Sequence, residues 1–183
     1  EATLIVATPQ TQDRPRFADF DRAQLAEGRA MLSDARVDGA GTSADGAASA
    51  NADTNTVSIT SNGQAVASLH LAIVDPATRG ELPEGSVGEI WLNGANTAAG
   101  YLDRPEETEE TFKNTIGATL SADLPQDNWL ATGDLGVLVD GELYITGRAK
   151  DMVVVAGRNH YPQDIEATVA EASGHVRSDS VAA

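Results

Sequence analysis

The chain has 183 residues, carries 28 acidic against 12 basic side chains for a net charge of −16, and contains no cysteine. Such a balance repels phosphate, which argues against nucleic acid and anionic membrane surfaces as partners, and it leaves no disulfide framework or cysteine-ligated metal. No apolar run approaches the ~20 residues of a membrane span and no basic-then-apolar leader opens the sequence, a pattern compatible with a cytoplasmic protein.

The elements predict a strand-rich α+β fold. A short strand over residues 3–7 leads into a proline-containing connection. Residues 21–26 read as a short helix, with Asp21 as N-cap and Gly28 just past the end. From 33 to 56 the composition falls to Ala, Gly, Ser, Asp, Asn and Thr. A flexible loop is expected there, because too little apolar surface is available to offset the entropy of ordering. Strands resume at 56–60 and 69–75. His70 reads as part of the polar face of the second, with no further ligand at metal spacing beside it. Pro83 marks a turn, and 88–92 reads as a strand carrying Trp91 as a core or rim aromatic. The loop over 93–100 lacks a full G-x-G-x-x-G. Arg104-Pro105-Glu106 opens a helix anchored by Phe112. Its Glu106, Glu107, Glu109 and Glu110 read as a solvated face near a helix N-terminus rather than as a metal cluster. Residues 115–127 read as loop.

The stretch from Trp129 to Glu166, WLATGDLGVLVDGELYITGRAKDMVVVAGRNHYPQDIE, holds most of the chemically suggestive residues. GVLV and ELYIT flank Asp140-Gly141, a dipeptide suited to a type I′ hairpin turn because both positions tolerate positive φ. The turn sets Asp134 and Arg148 at the same open end of the hairpin. There they could grip a polar ligand from two sides or pair with each other. MVVVA reads as a buried strand ended by Gly157, and Pro162 starts a helix with Asp164 and Glu166 in its first turn and Ile165, Val169 and Ala172 as its apolar stripe.

WLATGDLG followed by GRAKDMVVVAGRNHYPQDIE resembles the seventh and eighth core motifs of the adenylate-forming enzymes, the superfamily of acyl-CoA synthetases, luciferases and peptide synthetase adenylation domains. EATLIVATP is similar to the tail of the fifth motif, and GEIWLNGANTAAGYLDRPEETEETF to the sixth. The string GRNHYPQDIE is narrower and resembles the fatty acyl-AMP ligases. Because the sequence opens inside the fifth motif, a fragment of a longer enzyme is expected.

The resemblance implies a fold and a chemistry. Residues 1–147 would complete the large adenylating domain as a distorted β-barrel-like subdomain, with 148–150 as the hinge, Lys150 its pivot, and 151–183 as the incomplete beginning of a small α+β C-terminal domain. The implied reaction activates a long-chain fatty acid with ATP and Mg²⁺ to an acyl-adenylate for an acyl carrier protein or polyketide synthase. It needs no protein nucleophile, and no catalytic residue is assigned within the chain. Asp134 would accept from the ribose hydroxyls, Arg148 would contact the ribose, Ile145 would lie against the adenine, and Glu1 would help hold Mg²⁺. The phosphate loop and the distal lysine of the family are not in this sequence, so the chain by itself is expected to be inactive. A fragment of a long-chain acyl-CoA synthetase and a non-catalytic β-rich interaction module are the alternatives.

Overall fold

The computed structural model describes residues 5–10, 16–33, 55–156 and 158–172. The low-complexity stretch expected to be a flexible loop falls mostly outside them, as do Glu1 and Gly157. The elements follow one another as β1 (Ala7–Thr8), β2 (Phe17–Asp21), α1 (Arg22–Ala26), β3 (Thr56–Thr60), β4 (Gln64–Ala65), β5 (Leu69–Val74), β6 (Gly88–Gly94), α2 (Pro105–Phe112), β7 (Leu130–Val139), β8 (Glu142–Arg148), β9 (Val153–Val155), β10 (Arg158–His160) and α3 (Pro162–Ala172).

A four-stranded antiparallel sheet in the order β5-β6-β7-β8 forms the centre, and β1-β4, β2-β3 and β9-β10 pair separately. Among the described residues the strands do not close into a barrel. Period-two alternation sorts the apolar side chains of the sheet. On β5 and β6, Leu69, Ile73, Ile90 and Leu92 join Phe112, Leu130 and Leu143 on one face. Ala72, Val74 and Trp91 join Ile116 and Trp129 on the other. Both tryptophans are fully enclosed and keep their indole N–H groups satisfied: Trp91 donates to Glu89 Oε2 at 2.9 Å and Trp129 to the Pro125 carbonyl at 2.8 Å. A third cluster joins β2 to β7 and β8, with Phe20 edge-on to Tyr144 at 5.4 Å between centroids.

Several sequence expectations hold in detail. Asp21 caps α1, accepting from the Gln24 N–H at 2.9 Å, and Gly28 follows the helix at φ 81°. Pro105 opens α2, Phe112 buries its end, and its four glutamates face solvent, with Glu107 held by Arg104 at 2.9 Å. His70 is exposed on β5.

Two readings need correction. Phe17–Asp21 is a strand, not part of a connection. Its aspartates masked an alternation that buries Ala18 and Phe20 against β3. The valines of β9 are 43–60% exposed rather than buried, because β9 pairs only with β10 among the described residues. The inward anchors of this region are instead Tyr161, buried just ahead of α3, and Met152, both packed on the Phe20–Tyr144 cluster. Ile165 and Val169 of the expected stripe on α3 face Ala23 and Ala26 of α1 across a cavity of about 460 Å³.

Candidate functional site

The open end of the β7–β8 hairpin is shaped by Thr132-Gly133-Asp134. The Thr132 hydroxyl donates to the Ile90 carbonyl at 2.8 Å and accepts from the Asp134 N–H at 3.1 Å, so one side chain ties the segment to β6 and fixes the next peptide. Glu89 Oε1 accepts from the Gly133 N–H at 2.8 Å, and the Gly133 carbonyl accepts from the Ala149 N–H at 2.9 Å. Gly133 sits at φ 75°, a conformation that L residues adopt only at a cost. The far end of the hairpin turns through Asp140 and Gly141 at φ 52° and 74°, as the type I′ reading requires.

Pairing between the strands is interrupted once. Asp134 faces Arg148 and Leu135 faces Gly147, but Gly136 faces Ile145. Thr146 is therefore an extra, buried residue on β8, a bulge that re-aims the side chains around it. Strict alternation would send Ile145 and Arg148, three residues apart, to opposite faces. The bulge turns both to one side, where they line a single cavity of about 420 Å³ with Asp134.

Within that cavity Arg148 Nε donates to Asp134 Oδ1 at 3.0 Å. The direct pairing left open by the sequence is thus present. It engages one nitrogen and one oxygen, so Asp134 Oδ2 and the two terminal guanidinium nitrogens have no protein partner among the described residues. The bond to Asp134, its charge and then the charge of Asp151 hold the Arg148 guanidinium above its ordinary pKa. Ile145, 43% exposed, supplies an apolar wall. Lys150 stands exposed in the turn between β8 and β9, away from the cavity lining. Glu1 lies outside the described residues.

Asp151, Pro162 and Glu166 complete the wall. Sequence reasoning placed Glu166 in a helix first turn and gave Asp151 no role, because nothing local shows that α3 folds back to β8. Glu89 was missed for the same reason: it acts 44 residues along the chain. The arrangement offers a fixed carboxylate acceptor, a guanidinium donor and an apolar wall on one side of an open cavity, a set suited to a diol beside a flat apolar ring.

The family of AMP-binding enzymes matches residues 40–102. A long-chain-fatty-acid–AMP ligase, FadD32 of Mycolicibacterium smegmatis, is 40% identical over all of this chain and 27% of its own length. A 4-hydroxyphenylalkanoate adenylyltransferase of Mycobacterium tuberculosis is 42% identical over 95% of this chain and 25% of its own. The structure of the fatty acyl-adenylate ligase of Legionella pneumophila with acyl adenylate and pyrophosphate superimposes with a TM-score of 0.63, at 30% identity over 96% of this chain and 26% of that one. The chain belongs to the AMP-binding, adenylate-forming enzymes. Within them it is similar from end to end to the fatty acyl-AMP ligases, and it spans about a quarter of the length of the curated relatives it matches.

Proposed function

We infer that the protein containing this chain forms acyl-adenylates from long-chain fatty acids and ATP, and that this chain supplies the ribose and adenine end of the nucleotide site. The observation that carries the reading is the bulge at Thr146, which sets Asp134, Arg148 and Ile145 around one cavity. Asp134 Oδ2 would accept from a ribose hydroxyl, since a carboxylate offers acceptors and no donors and so suits a diol. The free guanidinium nitrogens of Arg148 would donate to ribose oxygens, and Ile145 would press on the adenine ring.

In the reaction a fatty acid carboxylate oxygen attacks the α-phosphorus of ATP. A new phosphorus–oxygen bond forms, the bond to the β-phosphate bridging oxygen breaks, and pyrophosphate leaves with its electron pair. Nothing in that step needs a nucleophile from the protein. Positioning and charge stabilisation carry it. The part of this chain is positioning: holding the ribose fixes where the α-phosphorus lies. Mg²⁺ accompanies ATP in such chemistry by neutralising phosphate charge. The residue implied for it, Glu1, lies outside the described residues, and among those described no cluster of potential ligands converges.

The large domain would run through residue 147 as a barrel-like unit, Lys150 would absorb the rotation of a hinge, and β9, β10 and α3 would open the small domain. Exposure of Lys150 in the turn between β8 and β9 supports the hinge role. The acyl acceptor would be a carrier protein or polyketide synthase, in keeping with the AMP-ligase relatives, and the net charge of −16 argues against nucleic acid. Use of ATP and the lack of cysteine fit a cytoplasmic location. A coenzyme A acceptor is the second reading, favoured by a 42% identical relative from Mycobacterium tuberculosis described as a putative fatty-acid–CoA ligase.

Fatty-acid-dependent ATP–pyrophosphate exchange by the natural protein tests the activity. Exchange with long-chain acids, followed by acyl transfer to a phosphopantetheinylated carrier but not to coenzyme A, is expected. No exchange with any fatty acid would remove the reading.

A further inference from the structure

Asp134 stands in a break of the central sheet. Glu89 of β6 faces Leu135 of β7, and Trp91 faces Ala131. Between those pairs β6 has Ile90 alone, while β7 has Thr132, Gly133 and Asp134. Part of β7 is therefore extra, and the ladder cannot bond all of its peptide groups. Side chains do so instead. The Thr132 hydroxyl donates to the Ile90 carbonyl at 2.8 Å, and Glu89 Oε1 accepts from the Gly133 N–H, also at 2.8 Å.

Glu89 acts from a fixed base. Its second oxygen, Oε2, accepts from the Trp91 indole N–H at 2.9 Å. Trp91 is buried and packs with Ile116 and Trp129. One carboxylate thus joins the core to the residue immediately before Asp134. Gly133, at φ 75°, has no side chain to restrict its own conformation. Released from Glu89, it would let Asp134 turn both oxygens onto the Arg148 guanidinium, the two-bond geometry that such pairs favour, and Oδ2 would be lost to a ribose. We propose that Glu89 is a positioning residue of the nucleotide site, holding the bulge of β7 so that Asp134 keeps one oxygen for the ribose. The inference rests on the nucleotide reading of the cavity and adds to it the group that keeps its acceptor open. All of these residues precede Lys150, so the arrangement lies on one side of the proposed hinge.

The test compares ATP with 2′,3′-dideoxy-ATP in calorimetric binding to the natural protein and its variants, the ratio of the two affinities being the readout. Glu89→Ala should cut the preference for ATP by roughly 3- to 10-fold. Glu89→Gln combined with Trp91→Phe should keep most of it, because a phenyl ring needs no acceptor and the amide carbonyl can serve the Gly133 N–H alone. That double variant also loses an indole from the core and should be less stable than the wild type. Stability and ribose preference then part company, which a purely structural role of Glu89 forbids. Glu142→Ala, which removes a buried carboxylate of β8 outside the cavity, should lower stability and leave the ratio unchanged. In the unaltered protein, a ribose that depends on the Glu89–Gly133 bond must in turn strengthen it. Exchange of the Gly133 amide, followed by NMR with labelled glycine, should therefore slow several-fold with AMP bound and not with its 2′,3′-dideoxy analogue.

A full preference for ATP in Glu89→Ala, a double variant as impaired as Glu89→Ala, an equal loss of preference in Glu142→Ala, or a Gly133 amide that exchanges alike with both nucleotides would overturn the proposal. The exchange measurement uses the unaltered protein and stands even if a variant fails to fold. A wild type without preference for ATP would sink the nucleotide reading and this inference with it. A preference that survives the loss of Glu89 would sink this inference alone.

Discussion

Replacing Gly133 and Gly136 should weaken the protein for two different physical reasons, and the pattern of substitutions separates them. A Cβ on Gly133 meets nothing within 4 Å, so the whole penalty of Gly133→Ala comes from its φ of 75°. Holding an L residue there costs about 1–2 kcal/mol. Asn tolerates the left-handed region better than Ala, so Gly133→Asn should cost less than Gly133→Ala. At Gly136 the conformation is ordinary, but a Cβ would come within 2.9 Å of both Ile90 Cδ1 and the Tyr144 carbonyl oxygen. Overpacking of that kind costs about 1–3 kcal/mol, and Asn there should be worse than Ala. Urea unfolding followed by tryptophan fluorescence reads both. For a slope near 2 kcal/mol/M, Gly133→Ala should shift the midpoint down by about 0.5–1 M. The signal is local, since Glu89 holds both the Gly133 N–H and the Trp91 indole. Because Gly133 precedes Asp134 in the tied segment, the Ala variant should also lose nucleotide affinity, with Asn restoring part of it. Gly133→Asn at or below the midpoint of Gly133→Ala would refute the conformational argument.

Two further outcomes follow from the packing of β8. Glu142 is buried and accepts from Arg16 at 2.6 Å and from the Ser61 hydroxyl at 2.7 Å; Glu142→Ala should lower stability by about 1–3 kcal/mol by removing the buried acceptor that these two donors share. Arg16→Ala, which removes an exposed partner, should cost less in the same denaturation series. Burial raises the Tyr144 phenol above its ordinary value of 10.0, with the Glu142 charge adding to the effect. Its contribution is therefore fully present below pH 10 and is lost as pH rises through the raised value; Tyr144→Phe should flatten the alkaline limb of the stability profile, and an unchanged limb would contradict this.

How far the sequence could be read depended on the range of the interactions. The Asp140-Gly141 turn, the Asp21 cap and the Pro105 helix start are settled within a few residues, and the structure has all three. Phe112 was legible as the anchor of its helix and Trp91 as a core or rim aromatic, because large aromatics in strand and helix contexts rarely stay exposed in numbers; only the packing shows that Trp91 is core. The bulge was not legible. Thr146 sits in a run, ELYITGR, that alternates well enough as a plain strand, and only pairing with β7 shows that one residue is extra. The family resemblance named Asp134, Arg148 and Ile145, while elementary alternation could not have put Ile145 and Arg148 on one side. Asp151 and Glu166 joined the cavity through tertiary packing of α3, and Val153–Val155 misled because β-branched residues fit an exposed strand pair as readily as a buried one.

The central claim is that Asp134 holds the ribose of a nucleotide, and comparing ATP with 2′,3′-dideoxy-ATP on the wild-type protein and on Asp134→Ala tests it most directly. A hydrogen bond to a charged acceptor contributes about 1.5–3 kcal/mol, so the substitution should lower ATP affinity, or kcat/KM for ATP, by roughly 10- to 150-fold. The wild type should prefer ATP to the dideoxy nucleotide, and the variant should lose that preference while its fatty acid affinity changes little. A wild type indifferent to the ribose hydroxyls, or a variant that keeps the full preference, would contradict the account and leave Asp134 as a strand-end partner of Arg148 alone.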